Sequence, residues 1–68
     1  MAGKFEIFWD HNHELRFRLV APNGEIVAQS EAYSSLKNCK GGIESVRRWS
    51  AEADIVDTRP VRASRKEQ

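Results

Sequence analysis

The sequence has little of what usually stabilises a very small protein. Its 68 residues include one cysteine and two prolines, and no apolar run approaches the roughly 18 residues of a membrane span. One cysteine cannot form a disulfide within the chain, and no Cys/His cluster has zinc-finger spacing. A core of this size supplies only about 3 to 5 kcal/mol of net stability. We therefore expect one small domain, not embedded in a membrane, whose core either holds alone or is shared with a partner subunit.

Charge is divided unevenly along the chain. Residues 1–58 carry seven Lys and Arg against nine Asp and Glu, a net of −2, whereas residues 59–68 carry four against one, a net of +3. This basic stretch has no aromatic residue and no apolar periodicity, so we predict a domain at 1–57 and a disordered tail at 58–68. A solubilising terminus is the simpler interpretation of the tail, and a contact with nucleic acid or an acidic partner is the alternative. The N-terminus lacks the apolar segment of a signal peptide, which favours a cytoplasmic protein.

Three segments alternate apolar and polar residues with the period of a half-buried strand. The side chains predicted to point inward are Phe5, Ile7 and Trp9 in residues 4–9, Leu15, Phe17 and Leu19 in residues 14–20, and Ile26 and Ala28 in residues 25–29. A short polar turn at 10–13 and a turn with Pro-Asn-Gly at 21–24 separate them. Such connections predict an antiparallel meander in the order 1-2-3.

The apolar period then changes to that of a helix. Leu36, Cys39, Ile43 and Val46 recur at intervals of three, four and three residues, which predicts a helix from about 35 to 52. Ser34 or Ser35 is the expected N-terminal cap, and Gly42 is expected to face the sheet, where a bare backbone permits close approach. Residues 53–57 are predicted to be a last short strand that needs a sheet edge to join.

A helix packed on the apolar face of a meander gives a two-layer α+β domain. Four motifs occur in order: Arg16-Phe17-Arg18-Leu19, Asn23-Gly24-Glu25-Ile26-Val27-Ala28, Tyr33-Ser34-Ser35 and Cys39-Lys40-Gly41-Gly42-Ile43-Glu44-Ser45-Val46. Together they closely resemble the YegP-like domain family of bacteria and archaea, over about residues 4 to 57. The sequence departs from the usual pattern at His13, where glycine is more common, and at Trp49-Ser50-Ala51-Glu52.

The resemblance implies a β-β-β-α-β unit that works in pairs, either as tandem copies or as two subunits, with the C-terminal strands exchanged. Because this sequence holds one copy, it implies a homodimer. The exchanged residues are then Asp54, Ile55, Val56 and Asp57. No biochemical activity is established for the family, so the resemblance implies no catalytic or ligand residues.

The polar turn offers a weak candidate metal site. His11 and His13 stand beside Asp10, and imidazole and carboxylate are ligands that transition metals accept. A structural site usually needs four ligands, so a solvated turn is the simpler interpretation unless two turns meet in a dimer. We expect neither a metal nor another cofactor.

Catalytic chemistry has no convincing set of residues. Cys39 falls on the buried helix stripe, whereas a nucleophilic thiol must be partly exposed and activated by a base. Lys40-Gly41-Gly42 lacks the spacing of a phosphate-binding loop and lies inside the predicted helix. We therefore do not expect an enzyme.

The remaining candidates are interaction surfaces. Phe8, Arg16 and Arg18 on the outer sheet face combine an aromatic ring with positive charge, as nucleic-acid-binding sheets do, although glutamates lie among them. Trp9 and Trp49 are predicted to pack in the core or a dimer interface, with Trp49 also a candidate anchor for a protein partner. The sequence thus favours a non-enzymatic homodimeric module that binds an unidentified protein. The alternative is weak nucleic-acid binding through the sheet face and the tail.

Overall fold

A computed structural model describes residues 2–60 of the chain. Three strands are followed by one helix: β1 (Lys4–Trp9), β2 (Leu15–Val20), β3 (Ile26–Gln29) and α1 (Leu36–Ser50). The strands form one antiparallel sheet in the order β1-β2-β3. The predicted α+β class, the meander and its strand order are confirmed.

Two tight turns set the register of the sheet. In the first turn the Asp10 carboxylate accepts hydrogen bonds from the amides of Asn12, at 2.8 Å, and Glu14, at 3.0 Å. His13 adopts a φ of 60° there, a left-handed conformation that favours glycine. In the second turn Gly24 has a φ of 92° and its amide bonds to the Ala21 carbonyl at 2.9 Å. Both turns lie where the Asp/Asn/Gly pattern predicts them.

A register shift between Leu19 and Val20 interrupts the pairing of β2 with β3. Such a bulge reorients the side chains beyond it. Ile26 therefore pairs with Val20 and lines the outer face of the sheet beside Glu6. The prediction that Ile26 points inward is wrong for this reason. Val20 itself is buried between its partners on the two neighbouring strands.

The two edges of β2 are closed by neighbours, whereas β1 and β3 are the edge strands of the sheet. Beyond β3, Ser30 bonds to Phe17 through its amide and its hydroxyl, and Tyr33 bonds to Leu15 through both backbone groups, at 2.7 and 3.0 Å. Among the described residues, no strand pairs with the far side of β1. The six residues of β1 thus leave unpaired those backbone groups that point away from β2.

Helix α1 starts at a serine cap, as predicted. The Ser35 hydroxyl accepts a hydrogen bond from the Asn38 amide at 3.1 Å, which satisfies one of the free amides of the first turn. Arg47 and Arg48 occupy the last turn, where positive charge complements the helix dipole. The helix is shorter at its C-terminal end than the predicted 35–52.

The core lies between α1 and the inner face of the sheet. Phe17, Cys39 and Ile43 are buried there, and Phe5, Leu15, Tyr33 and Val46 pack against them. The Phe17 ring meets Phe5 edge-on at 5.8 Å and stacks on Tyr33 at 6.1 Å. A Cβ on Gly42 would collide with the Tyr33 ring and come within 3.1 Å of the Phe17 ring. This confirms that Gly42 faces the sheet.

One helix covers only part of the inner face. Trp9 and Ile7 continue the apolar row of β1, but Trp9 is 67% exposed and Ile7 is also exposed. Leu36, predicted in the buried stripe, is about half exposed in the first turn of α1. Of the two alternatives predicted for Trp9, packing in the core of a single chain is therefore wrong, and packing in a dimer interface stays a prediction.

The segment after the helix forms no strand in the single chain. Residues 53–58 have neither helical nor strand structure, and Ile55 and Val56 are 100% and 74% exposed. The predicted fourth strand is thus absent within one copy, because β1 and β3 are not joined by this segment. Whether a second copy receives it stays a prediction. Most of the predicted tail, residues 61–68, lies outside the described residues.

Candidate functional site

Ion pairs connect neighbouring strands on the outer face of the sheet. Glu6 and Arg18 are direct partners in the register, and the Arg18 Nε donates to Glu6 Oε1 at 2.8 Å. Lys4 Nζ lies 3.2 Å from the other carboxylate oxygen. Hydrogen bonds from Arg18 first and Lys4 second lower the pKa of Glu6. The Glu6 carboxylate therefore stays negatively charged, and it offsets part of the positive charge of Lys4 and Arg18.

Arg16 is held in a similar way near the start of β2. Its Nε donates to Asp10 Oδ2 at 2.7 Å, and its Nη1 donates to the Ser30 carbonyl at 3.3 Å. The Arg16 hydrogen bond is the main cause that lowers the pKa of Asp10, followed by the Glu14 amide. Since Asp10 also fixes the first turn, Arg16 connects that turn to Ser30, the residue after the end of β3.

Phe8 lies on the same face, covered by a cation. The Arg18 guanidinium carbon is 4.5 Å from the centre of the Phe8 ring, within the range of a cation–π contact. Next to it is a shallow depression of about 560 Å³, lined by Phe8, Trp9, Asp10, His11, Asn12, Arg16 and Gln29. The structure therefore brings the predicted residues Phe8, Arg16 and Arg18 onto one face.

The same geometry weakens this face as a nucleic-acid surface. Phosphate binding depends on protein cations that neutralise phosphates and release the counterions of the nucleic acid. Arg16 and Arg18, however, each already contact a carboxylate at less than 3 Å. A base could stack on Phe8 only after displacing the Arg18 guanidinium. The sheet face is a mixed polar surface with little net positive charge.

The histidine turn does not assemble a metal site within one chain. Both oxygens of Asp10 are occupied by the turn amides and Arg16. Within residues 2–60, no group of three or more His, Cys, Asp and Glu side chains is placed to hold a metal ion. His11 and His13 are exposed.

Neither of the potential nucleophiles is poised for catalysis. Cys39 is 0% exposed, and burial raises the pKa of its thiol, which disfavours the reactive thiolate. The Ser35 hydroxyl caps the helix. The interpretation of Cys39 as a core residue is confirmed.

Large apolar side chains are exposed at several places on the described residues. They are Ile7 and Trp9 on β1, Ile26 and Val27 on β3, Leu36 and Trp49 near the two ends of α1, and Ile55 and Val56 beyond the helix. Trp49 is 69% exposed, so it is not part of the core of the single chain. Clustered exposed apolar groups are typical of surfaces that another chain covers.

A cationic surface on α1 was missed by the sequence analysis. The helix carries Lys37, Lys40, Arg47 and Arg48 against Glu44, a net of +3. Counting residues 1–58 together hides this excess, because the acidic residues of the loops and the last segment outweigh it. Counting the charge of each predicted element separately would have revealed it.

Among the described residues, no helix is long and apolar enough to cross a membrane. Residues 10–57 match the protein family described as "Domain of unknown function (DUF1508)". This match ends at the last residue of the segment predicted to be exchanged.

Relatives from bacteria and archaea share most of the chain. A UPF0339 protein of Treponema denticola is 53% identical over 57 residues, which cover 84% of this chain and 98% of the relative. One from Methanosarcina acetivorans is 43% identical, with 79% and 93% covered. A Pseudomonas aeruginosa relative is 40% identical, but its match covers 81% of this chain and only 50% of that protein.

A solved structure has the same fold. It is entitled "NMR solution structure of the protein from Haloferax volcanii", and it is similar with a TM-score of 0.79 and 41% identity. The similarity covers 84% of this chain and 97% of that one. These findings agree with the YegP-like resemblance, and the chain belongs to the DUF1508 family, whose curated relatives are called UPF0339 proteins.

Proposed function

We propose that the protein is a non-enzymatic, homodimeric protein-interaction module, in which residues 54–57 of each copy pair with the free edge of β1 in the other. The observation that carries this proposal is the position of Ile55 and Val56. They lie inside the region matched by the family, 10–57, yet in a single chain Ile55 is 100% exposed and Val56 is 74% exposed. A part of the domain with two uncovered apolar residues needs a surface to bury them.

The free edge of β1 offers that surface. It presents unpaired amide and carbonyl groups, which readily pair with another strand. Ile7 and Trp9 are exposed on the inner face beside this edge, so an added strand could place Ile55 or Val56 next to them. The other edge strand of the sheet, β3, has four residues against the six of β1, so it offers a shorter edge for pairing.

Two further observations support a shared fold. The Cα radius of gyration is 15.7 Å, whereas about 11 Å is expected for a compact chain of this length. The Pseudomonas aeruginosa relative is about twice as long as its matched part, which leaves room for a second unit in one chain. A protein with a small core gains stability when a second subunit completes it.

The absence of enzymatic activity is supported by the state of the candidate groups. The Cys39 thiol is buried with a raised pKa, and the Ser35 hydroxyl is engaged as a helix cap. Nucleic-acid binding through the sheet face has less support, since Arg16 and Arg18 are both paired with carboxylates.

The test of the dimer is the solution mass by light scattering across a concentration series. Wild-type protein should have twice the 7.8 kDa mass of one chain, and the double variant Ile55→Asp/Val56→Asp should be monomeric, because two charges cannot be buried between subunits. Val27→Asp is the matched control, since Val27 is an exposed apolar residue outside the proposed contact. A monomeric wild type, or a dimer that the double variant leaves intact, would refute the strand exchange.

Trp49 is the proposed anchor for the protein partner. Exposed tryptophans are frequent hot spots of interfaces, and Trp49 lies on α1, outside the proposed pairing of residues 54–57 with β1. Trp49→Ala should leave both the unfolding free energy and the dimer mass unchanged. A loss of the dimer would instead assign Trp49 to the contact between subunits.

A further inference from the structure

The cations of the sheet and those of the outward side of α1 have different surroundings. Those of the sheet, Lys4, Arg16 and Arg18, each contact a carboxylate. Those of the helix face are Lys37, Lys40 and Arg48, which are exposed and make no ion pair with any described residue. We call these three residues the basic helix face. A cation without a carboxylate partner can neutralise a phosphate and so release the counterions condensed on a nucleic acid.

The basic helix face has a regular geometry. Lys37, Glu44 and Arg48 are separated by seven and four residues, so they share one side of α1, opposite the buried Cys39 and Ile43. Lys40 lies beside them, one turn after Lys37. At about 1.5 Å per residue, the face extends about 16 Å from Lys37 to Arg48.

Two details leave this face open for close approach. A Cβ on Gly41 would have nothing within 4 Å, so the middle of the face is bare backbone. The single acid, Glu44, is paired with Arg47 at 3.3 Å, which reduces its repulsion of an incoming anion. Neighbouring molecules can therefore contact the lysines without meeting a bulky side chain between them.

The composition of the face selects its partner. Protein interfaces have an apolar core with few charges, but this face has no apolar residue. Nucleic-acid interfaces are polar and strongly cationic, and the major groove of B-form DNA, about 12 Å wide, admits an α-helix. The corresponding groove of duplex RNA is too narrow for side chains to enter. We propose that the basic helix face binds the phosphate backbone of double-stranded DNA without sequence preference. The proposal goes beyond the dimeric interaction module and does not depend on it.

The test is fluorescence anisotropy of a labelled duplex DNA titrated with the full-length protein at several salt concentrations. Three phosphate contacts give a slope of about −2.7 for log K against log salt, hence about 40-fold weaker binding from about 50 to 200 mM. In the triple variant Lys37→Gln/Lys40→Gln/Arg48→Gln the slope should be shallower by about 2.7. Circular dichroism checks that this variant keeps its helix, since glutamine is a good helix former.

A control variant that loses the same number of positive charges distinguishes a localised binding site from an effect of the net charge of the protein. It is Arg62→Gln/Arg65→Gln/Lys66→Gln in the basic C-terminal stretch, which should keep most of the affinity. Equal losses in the two triple variants would overturn the proposal, and so would the absence of any DNA binding at the lowest salt. If Arg16→Gln/Arg18→Gln loses more DNA affinity than the helix triple variant, the DNA-binding surface is the sheet and the proposal is overturned. Tighter binding to polyglutamate than to DNA would overturn the proposal, because it would indicate that the partner of the basic helix face is an acidic protein.

Discussion

Replacing Gly42 by alanine tests the closest contact between the helix and the sheet. The new methyl group would overlap the Tyr33 ring and lie 3.1 Å from a Phe17 ring atom. Tyr33 cannot move away freely, because its backbone is bridged to Leu15 and its ring stacks on Phe17. Overpacking of this kind costs about 1 to 3 kcal/mol. Alanine also favours the helix over glycine by about 1 kcal/mol, so we expect a net destabilisation of about 0 to 2 kcal/mol.

The matched control is Gly41→Ala, one residue earlier in the same helix. A Cβ on Gly41 meets nothing within 4 Å, so this variant should be stabilised by about 1 kcal/mol. The difference between the two variants, about 1 to 3 kcal/mol, isolates the collision at the sheet. Urea unfolding followed by circular dichroism, at one fixed protein concentration, measures both.

A third variant identifies the colliding group. In a Tyr33→Ala background most of the obstruction is gone, so Gly42→Ala should destabilise less than it does in the wild type. This coupling is the signature of a direct contact in a double-mutant cycle. If Gly42→Ala is as stable as Gly41→Ala, the proposed close packing of α1 on Tyr33 and Phe17 is refuted.

Two further predictions concern the first turn. His13→Gly should stabilise the protein by about 1 kcal/mol, because glycine adopts the left-handed backbone of this position without strain. Thermal melting measures this gain, and the control Asn12→Gly should show none. Equal effects of the two variants would contradict this explanation. The Arg16 contact lowers the folded pKa of Asp10, so its stabilisation is present above the unfolded pKa of about 3.9 and is lost as the pH falls through the folded pKa. Asp10→Asn should therefore melt below the wild type at pH 7 and approach it near the acid limit, whereas Glu52→Gln, an exposed change elsewhere, should show no such convergence. A gap between wild type and Asp10→Asn that stays constant with pH would exclude the ionic contribution.

Most of the fold could be predicted because its signals are local. Alternation places Phe5, Leu15 and Phe17 on one face, and the stripe of Cys39 and Ile43 meets them in the core. Each of these positions depends only on the period of its own element. The serine cap and the two turns are likewise encoded by a few adjacent residues.

The errors arise where the position of a residue depends on distant partners. The bulge after Leu19 turns Ile26 to the outer face, and no local pattern in β3 signals it. Trp9 and Ile55 are apolar, yet within one chain neither finds a surface to cover it. Their burial depends on how many elements the domain contains, which periodicity does not reveal.

The candidate surfaces were predicted less well than the fold. Phe8, Arg16 and Arg18 do lie together, but the ion pairs that neutralise the arginines follow from the register and from the turn at Asp10. Which carboxylate a long side chain contacts depends on the three-dimensional structure, so the net charge of the sheet face could not be assigned from a list of outward-facing residues. The basic helix face, by contrast, was within reach of a count over one element.

The complete burial of Cys39 gives the protein a built-in reporter of its own opening. It is the only thiol of the chain, and it lies where the helix meets the sheet. A disulfide reagent added to the native protein can react only after the helix has moved off the sheet, so the rate of thiol labelling measures the free energy of that opening. The measurement needs no substitution and no denaturant. Its dependence on protein concentration would also distinguish an opening within one chain from one that requires separation of two.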